Sequence, residues 1–276
     1  MTRILFWNLG RRELTEALVC LCHEQAVDIL ILAEYAGHGA GLLTALNSAG
    51  GVRFYRWADT LSGRIAMLHA RPVDSASLRA ASGYYAIFAV QPESGPEIIL
   101  AAVHLPSKLH AAGSDQMGFA EDVRREVDRL EREAGHSRSL VIGDFNMNPF
   151  DPGMVSARGF HAVMDRRIAA RRVRHIGGVE YGYFYNPLWN LLGDRQGPGS
   201  YYRRPSYFEA YHWHCYDQVL LRPALAGRIA PEGVRLVRAI AGQSLLNRHG
   251  VINRHEFSDH LPLIVELEDQ EVGNEP

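Results

Sequence analysis

The chain has 276 residues, a length near the upper limit for one hydrophobic core, and its 47% hydrophobic and 22% charged residues are typical of a globular domain. Its formal net charge of −2 excludes attraction to nucleic acid through overall charge, but leaves room for a local basic patch. With 3 cysteines, no apolar run of membrane-spanning length and no signal peptide, the sequence indicates a cytoplasmic protein without a disulfide framework.

The first two predicted strands form a crossover unit. An apolar run at 4–7 predicts a strand that ends at Asn8. Apolar residues at helical spacing over 14–21 predict an amphipathic helix, and a second apolar run at 27–33 ends at Glu34. A strand, helix and strand of this length lie in one sheet as a parallel pair. Asn8 and Glu34 are therefore expected to leave that sheet at the same edge.

Three further strands are predicted before residue 104. They correspond to apolar runs at 64–68, 84–90 and 98–103, and the third run ends at His104. Closely spaced turn signals between the runs predict that these strands pair antiparallel. The helix that follows has an apolar stripe formed by Phe119, Val123, Val127 and Leu130.

The apolar run at 140–142 predicts a buried strand that ends in the motif Gly-Asp-Phe-Asn at 143–146. In extended backbone, Asp144 and Asn146 point to one face and Phe145 to the other. A carboxylate can hold Mg²⁺ or take a proton from water, and an amide can donate to a phosphate oxygen, so this pair suits phosphate chemistry. A turn is the alternative interpretation, because Gly, Asp and Asn are common turn formers.

Two segments between residues 149 and 206 have unusual compositions. The first is rich in arginine over 166–174, which is typical either of a polyphosphate-binding segment or of a solvated helix face. The second is rich in aromatic residues and includes Tyr201 and Tyr202, followed by Arg203. These three residues are predicted to bind substrate by stacking on bases and contacting phosphate. The alternative is a long loop that its own aromatic side chains hold in place.

Histidines and acids accompany the last two predicted strands. His212 and His214 alternate and could ligate zinc, but no second pair with the required spacing accompanies them. We expect His214 instead to frame Asp217, which lies in the strand predicted at 216–221. Because Asp217 begins one strand and His260 precedes the next, at 261–267, their side chains are expected to meet across the end of one sheet.

Five short motifs occur in order along the chain. They are Trp-Asn at 7–8, Ala-Glu at 33–34, Gly-Asp-Phe-Asn at 143–146, Tyr-Asp-Gln-Val-Leu at 216–220 and Ser-Asp-His at 258–260. Together they resemble the ordered motifs of the endonuclease/exonuclease/phosphatase superfamily, which includes pancreatic-type DNases, AP endonucleases, inositol polyphosphate 5-phosphatases and neutral sphingomyelinases. The resemblance implies an α/β (α+β) four-layer sandwich of two mixed sheets flanked by helices. It covers one domain over 1–267, and the acidic tail at 268–276 is predicted to be disordered.

The resemblance also implies a role for each matched residue. Glu34 resembles the main ligand of a divalent metal, Mg²⁺ with Mn²⁺ as a substitute, and Asn8 and Asp259 resemble its helpers. Asp144 resembles the residue that orients or deprotonates the attacking water. The remaining matched residues are Asn146, which would hold a phosphate oxygen, His260, which would contact the scissile phosphate, and Asp217, which would hydrogen-bond to His260 from behind.

His104 distinguishes among the members of this superfamily. DNase-like and sphingomyelinase-like members have histidine at this position, whereas AP endonucleases have tyrosine. A histidine there can donate a proton to the leaving oxygen or stabilise the phosphorane. The sequence therefore predicts a metal-dependent phosphoesterase, with a nuclease on DNA or RNA as the first interpretation. The alternatives are a phosphatase or phosphodiesterase on a small or lipid substrate, and a catalytically silent binding module. The sequence does not predict an oligomeric state.

Overall fold

The computed structural model describes residues 1–56, 64–70, 75–93, 95–107, 113–193, 197–204, 210–230 and 232–268. The α-helices are α1 (Thr15–Glu24), α2 (Gly39–Ser48), α3 (Gly113–Ala134), α4 (Pro152–Val155), α5 (Arg166–Ala169) and α6 (Pro223–Ala226), and a 3-10 helix spans Pro187–Leu191. The strands are β1 (Thr2–Asn8), β2 (Ile29–Ala33), β3 (Tyr55–Arg56), β4 (Ile65–His69), β5 (Ala76–Ala81), β6 (Tyr85–Val90), β7 (Ile98–His104), β8 (Ser139–Asp144), β9 (Ala162–Val163), β10 (Val173–Ile176), β11 (Val179–Gly182), β12 (Phe184–Tyr185), β13 (Tyr201–Tyr202), β14 (Trp213–His214), β15 (Asp217–Leu221), β16 (Val234–Leu236), β17 (Ala239–Ile240), β18 (Gln243–Ser244) and β19 (Leu263–Leu267). Of the tail predicted to be disordered, residues 269–276 lie outside the described residues.

The first sheet has six strands in the order β16-β19-β1-β2-β4-β3. β1 and β2 are parallel, with Asn8 opposite Ala33, and α1 connects them. This arrangement confirms the predicted crossover unit, and Asn8 and Glu34 leave the sheet at the same edge. β19, the strand that follows His260, pairs antiparallel with β1. The last strand of the fold therefore lies beside the first.

The second sheet has seven strands in the order β5-β6-β7-β8-β15-β12-β9. β7 and β8 are parallel, and His104 lies opposite Asp144. β15 is antiparallel to β8, and Asp217 lies opposite the same aspartate. Three polar residues thus lie side by side across three neighbouring strands, which is the beginning of a site.

The pairing predicted for the strand at 64–68 is wrong. That strand is β4, and it pairs with β2 in the first sheet, whereas β6 and β7 pair with each other in the second sheet. A turn signal shows that the chain reverses, but not that the next strand joins the same sheet. β5 separates β4 from β6 in the chain, and its largely exposed residues lack the apolar pattern that marks a buried strand.

Apolar side chains form layers between the sheets and outside them. Phe6 of β1 and Ile142 of β8 belong to the cluster between the two sheets. Trp7 belongs instead to the cluster that contains the buried leucines of α1 and α2, and Val141 to the cluster that contains the buried valines of α3. Neighbouring residues face opposite layers because side chains alternate along a strand. The resulting order of helices, sheet, sheet and helix confirms the predicted four-layer sandwich.

Gly143 allows β7 and β8 to approach just before the polar strand ends. It has a φ of +152°, and a Cβ at this position would lie 1.9 Å from the carbonyl oxygen of Val103. Any other residue would have to move that strand. Gly118, by contrast, lies on the exposed face of α3, and a Cβ there would have nothing within 4 Å.

These two glycines give opposite expectations for stability. Gly143→Ala should lower the free energy of unfolding by more than the roughly 1–3 kcal/mol that a strained backbone conformation costs, because it also adds a steric clash. Gly118→Ala should raise the free energy of unfolding by roughly 0.5–1 kcal/mol, because alanine restricts the unfolded chain and favours helix. Urea unfolding of both variants measures the difference. Equal stabilities would contradict the packing described for Gly143.

Candidate active site

Asp144 lies at the centre of a cluster of polar side chains where the two sheets meet. Its Oδ2 accepts a hydrogen bond from Asn8 Nδ2 at 2.9 Å, and its Oδ1 accepts one from the backbone N–H of Asn146 at 2.8 Å. The Nε2 atoms of His104 and His260 lie 3.9 and 4.0 Å from Oδ2. Asp144 is only 1% exposed, so it is a buried acceptor that donors from both sheets surround.

Asn146 reaches Asp144 through a turn. β8 ends at Asp144, and Asn146 has a left-handed backbone with a φ of +49°. Its Nδ2 donates to the Leu105 carbonyl oxygen at 2.8 Å and lies 3.3 Å from Asp144 Oδ2. Gln116 holds the turn by donating from Nε2 to the carbonyl oxygen of Asn146 at 2.9 Å. The two side chains converge as expected, but in the turn conformation that was the alternative interpretation.

Asp217 and His260 form a buried pair, with Nδ1 of the imidazole 2.8 Å from Oδ2 of the carboxylate. Burial by itself raises the pKa of Asp217 and lowers the pKa of His260. At His260 the attraction of Asp217, Asp144 and Asp259 outweighs burial and raises the pKa to about 10. The pair therefore holds an imidazolium against a carboxylate, with Nε2 on the side of Asp144.

The two members of this pair come from different sheets, so the expectation that they meet across the end of one sheet is wrong. Asp217 begins β15 in the second sheet, and His260 precedes β19 in the first. The backbone of His260 is fixed on both sides. Trp7 Nε1 donates to its carbonyl oxygen at 2.9 Å, and its own N–H donates to Ser258 Oγ at 3.1 Å. A sequence pattern identifies a strand, but does not assign it to one of two sheets that pack face to face.

Glu34 follows β2 in a left-handed conformation with a φ of +50°. Its Oε1 lies 3.3 Å from His104 Nε2, and its Oε2 lies 3.6 Å from Arg11 Nε. The hydrogen bond from His104 outweighs the effect of burial and, with the charges of His104 and Arg11, lowers the pKa of Glu34. Its side chain is 30% exposed, so Glu34 is an ionised carboxylate that is open to solvent.

Asn8 and Asp259 lie on the two sides of the turn that follows β1. Asn8 Oδ1 accepts a hydrogen bond from the N–H of Gly10 at 3.0 Å. Gly10 has a φ of +54°, and a Cβ there would lie 2.6 Å from Asp259 Oδ1. Glycine thus lets Asp259 approach this turn. The amide oxygen of Asn8 and the carboxylates of Asp259 and Glu34 are hard donors of the kind that Mg²⁺ binds, so the chemistry of these side chains fits such an ion.

A second group of ligand atoms fits a metal less well. One atom each from Asp144, Asp217 and His260 lie within 4.8 Å of one another, and all three residues are buried. His260 is protonated and bound to Asp217, so the pair has no free imidazole lone pair to offer. Asp144 already accepts hydrogen bonds from Asn8 and Asn146. Among the residues that the structure describes, no group of three such ligands includes His212 or His214.

The three residues predicted to bind substrate lie next to this centre. The ring of Tyr201 lies 4.7 Å from that of His260. Tyr202 packs edge-on against Trp213 at 5.2 Å, and Arg203 is exposed.

A cleft of about 610 Å³ opens beside Tyr201 and Asp259. The cationic residues that line it include Arg203, Arg204 and Arg254. Asp259, which precedes His260 in the chain, also lines the cleft. The local basic patch that the overall charge allowed is therefore next to the catalytic candidates.

Asp217 has a neighbour that the sequence does not indicate. Its N–H donates to Ser200 Oγ at 3.0 Å, whereas His214, expected in that role, lies 3.2 Å from Asn148 Nδ2 through its Nδ1. No periodic pattern marks Ser200, because it lies in a loop and its partner is distant in the chain. Asn148 also accepts from the N–H of Cys215 at 3.0 Å, and it continues the two-residue spacing of Asp144 and Asn146, a usable signal.

No family model and no curated protein matches the chain. Solved structures match over nearly the whole length. An endonuclease/exonuclease/phosphatase family protein from Leptotrichia buccalis C-1013-b is 11% identical, with a TM-score of 0.56 over 97% of this chain and 100% of that one. An AP endonuclease from Archaeoglobus fulgidus is 14% identical, with a TM-score of 0.56 over 97% and 99%. D. rerio TDP2, complexed with a single-strand DNA product, is 12% identical, with a TM-score of 0.57 over 96% and 97%.

The chain has the endonuclease/exonuclease/phosphatase fold. The resemblance seen in the five motifs is thereby confirmed as a likeness of fold. Within this endonuclease/exonuclease/phosphatase sandwich, every matched motif contributes to one edge where the two sheets meet. No helix in the described ranges combines the length and the apolar character that crossing a membrane requires.

We expect Asp217 and His260 to act as one unit. Asp217→Asn should lower kcat/KM nearly as much as His260→Ala, and the double variant should be little worse than His260→Ala alone, because members of a unit are non-additive. The active imidazolium is lost as pH rises through its pKa, and Asp217 raises that pKa. Asp217→Asn should therefore move the alkaline limb of the pH–rate profile to lower pH. Strict additivity, with an unchanged profile, would contradict the pairing.

Proposed function

We propose that this protein is a metal-dependent phosphoesterase that cleaves phosphodiester bonds in DNA or RNA. The observation that carries the proposal is the convergence of Glu34, Asp144 and the His260–Asp217 pair where the two sheets meet. One open carboxylate, one buried carboxylate and one imidazolium meet three needs of phosphate-ester hydrolysis. These are a metal ligand, an acceptor for the proton of water, and positive charge that opposes the negative charge of the transition state.

Each residue has a defined part in this hydrolysis. Asp144 orients the attacking water and accepts its proton. The imidazolium of His260, held by Asp217, neutralises charge that develops on the phosphate. His104, between Glu34 and Asp144, donates a proton to the leaving oxygen. The proposed reaction is an in-line displacement, in which attack and departure occur on opposite sides of the phosphorus.

Asn146 binds a phosphate oxygen in this proposal, although both hydrogens of its amide already have acceptors. One acceptor is the Leu105 carbonyl oxygen at 2.8 Å, and the other is Asp144 Oδ2 at 3.3 Å. The longer contact is the weaker one. A phosphate oxygen that replaces it leaves the turn held by Leu105 and frees Asp144 to accept from water.

Glu34 would hold Mg²⁺, with Mn²⁺ as a substitute, and Asn8 and Asp259 would support it. When bound, such an ion polarises a phosphoryl oxygen as a Lewis acid. Glu34 suits this part because its low pKa keeps it ionised and its partial exposure leaves room for water ligands.

The basic cleft favours nucleic acid as the substrate. A nucleic acid has further phosphates on either side of the scissile one, and Arg203, Arg204 and Arg254 offer charges for them beside Asp259. Tyr201 and Tyr202 line the same cleft, and aromatic side chains there suit contact with bases. D. rerio TDP2, a protein of the same fold, is complexed with a single-strand DNA product, which is consistent with this choice.

A small or lipid phosphate ester is the second candidate. The net charge of −2 and the lack of a long basic tract in the sequence favour it over a nucleic acid. One assay separates the two: the purified protein with Mg²⁺ or Mn²⁺ against plasmid DNA, single-stranded DNA, RNA, a phosphoinositide and bis-p-nitrophenyl phosphate. Hydrolysis of the phosphoinositide without cleavage of any nucleic acid would reject the nuclease proposal.

Removing the Glu34 carboxylate tests the metal ligand. Glu34→Gln should lower kcat/KM by more than about 100-fold, because a metal supplies several kcal/mol of transition-state stabilisation. EDTA should have the same effect, and added Mg²⁺ should reverse it. Calorimetric titration with Mn²⁺ should show binding to the parent and to Glu16→Gln, a control on α1, but not to Glu34→Gln. Full activity in EDTA would reject the metal mechanism.

The salt dependence of binding tests the cleft. Replacing Arg203 and Arg254 together by alanine should weaken binding to single-stranded DNA and reduce the slope of log K against log salt by roughly one per lost phosphate contact. Arg132→Ala, at an exposed arginine on α3, should leave the slope unchanged. A double variant with the parent slope would show that the strand does not lie in this cleft.

A further inference from the structure

A row of aromatic rings leads from the catalytic centre to the surface. Tyr201 lies against His260 and stacks on Tyr216 at 5.4 Å, and Tyr216 stacks on His214 at 4.7 Å. The ring of His214 then lies 6.3 Å from that of Tyr211. These distances are those of rings in contact. The inner rings are buried or half-buried, so they belong to the packed structure around His260.

The outer end of the row is exposed. Tyr211 is 56% exposed and Phe150 is 39% exposed, and their rings lie 5.8 Å apart with only 32° between their planes. Trp189 also contacts Phe150, at 6.1 Å between ring centroids. Both Tyr211 and Phe150 are more than a third exposed, so part of each ring is available for contact with another molecule. Isolated exposed side chains are common, but a pair joined to the catalytic centre by stacked rings is not isolated.

The loop that carries Phe150 also belongs to the active site. Asp144 and Asn146 lie at its start. Asn148 Oδ1 accepts a hydrogen bond from the N–H of Cys215, which ties the loop to the segment that precedes β15. Asp151 then accepts a hydrogen bond from the N–H of Asn148 at 2.9 Å through Oδ2. Phe150 is thus held in a fixed position relative to the residues that contact the scissile phosphate. Such a position suits substrate recognition, because a ring that is already ordered loses little entropy on binding.

We propose that Tyr211 and Phe150 form a platform on which an unpaired nucleobase of the substrate stacks. The inference rests on the proposed nuclease function and adds to it the form of the substrate, which is a single-stranded or unwound nucleic acid. Stacking uses the face of a base, and a base inside a duplex has both faces covered by its neighbours. The rings of the platform then contact bases, and the arginines of the basic cleft contact phosphates.

Recognition through a ring face makes the site tolerant of sequence. Every base has a π-face, whereas hydrogen-bond recognition of base edges depends on which base is present. The platform therefore selects strands that carry bases, but does not select among them. Small diesters and lipid phosphates have no base, so the platform contributes nothing to their hydrolysis.

The test compares two strands of the same charge. They are a fluorescent oligothymidylate and the same strand with abasic tetrahydrofuran nucleotides throughout. Binding of both strands is measured by anisotropy in the Glu34→Gln background, where cleavage does not interfere. Cleavage is measured as the ratio of kcat/KM for the oligothymidylate to kcat/KM for the abasic strand.

Tyr211→Ala should weaken binding of the oligothymidylate by between about fivefold and a hundredfold, the range that stacking on one ring gives. Binding of the abasic strand should not change, and the kcat/KM ratio should fall by a similar factor. Tyr211→Phe keeps the ring and should behave as the parent. Val179→Ala, at an exposed apolar side chain on β11, is the control for general surface effects. Thermal unfolding checks that each variant is folded.

Two results would overturn the platform. One is equal loss of affinity for the oligothymidylate and the abasic strand in Tyr211→Ala. The other is a parent that binds both strands equally well. Either result, together with metal-dependent cleavage of nucleic acid, leaves the proposed nuclease function standing. Hydrolysis of bis-p-nitrophenyl phosphate or a phosphoinositide, with no nucleic acid cleaved or bound, would reject the nuclease function and the platform together.

Discussion

The burial of one carboxylate between two sheets is the constraint on which the rest of the site depends. A carboxyl group that is 1% exposed is tolerated only where donors replace its water, and Asp144 takes those donors from both sheets. Asn8 reaches it from the first sheet, and the N–H of Asn146 from the loop after the second. The two sheets must therefore pack in one register, because a shift of either would leave the charge without a partner.

Much of the site could be predicted because strand ends are visible in a sequence. Asn8, Glu34, His104, Asp144 and Asp217 each end or begin an apolar run, and each lies where its strand meets the common edge. Because the central strands are buried on both faces of the sheets, they appear in the sequence as continuous apolar runs and could also be predicted. The order of the five motifs then indicated the fold, which short periodic runs alone do not specify.

What could not be predicted depends on contacts between distant parts of the chain. Sheet membership is one example: β4 and β6 have similar apolar patterns but lie in different sheets. Ser200 is another, since only the folded chain brings its hydroxyl to the N–H of Asp217. Phe150 and Tyr211 are a third. Single aromatic residues in loops carry no pattern, and their proximity arises from the hydrogen bonds of Asn148.

The pairing of β1 with β19 has a consequence for how the protein is made. Asn8 ends β1, whereas His260 lies just before β19 and is synthesised about 250 residues later. A nascent chain that has not reached β19 lacks both the neighbour of β1 and the imidazolium beside Asp144. The polar cluster around Asp144 is therefore complete only after β19 has been synthesised and has paired with β1.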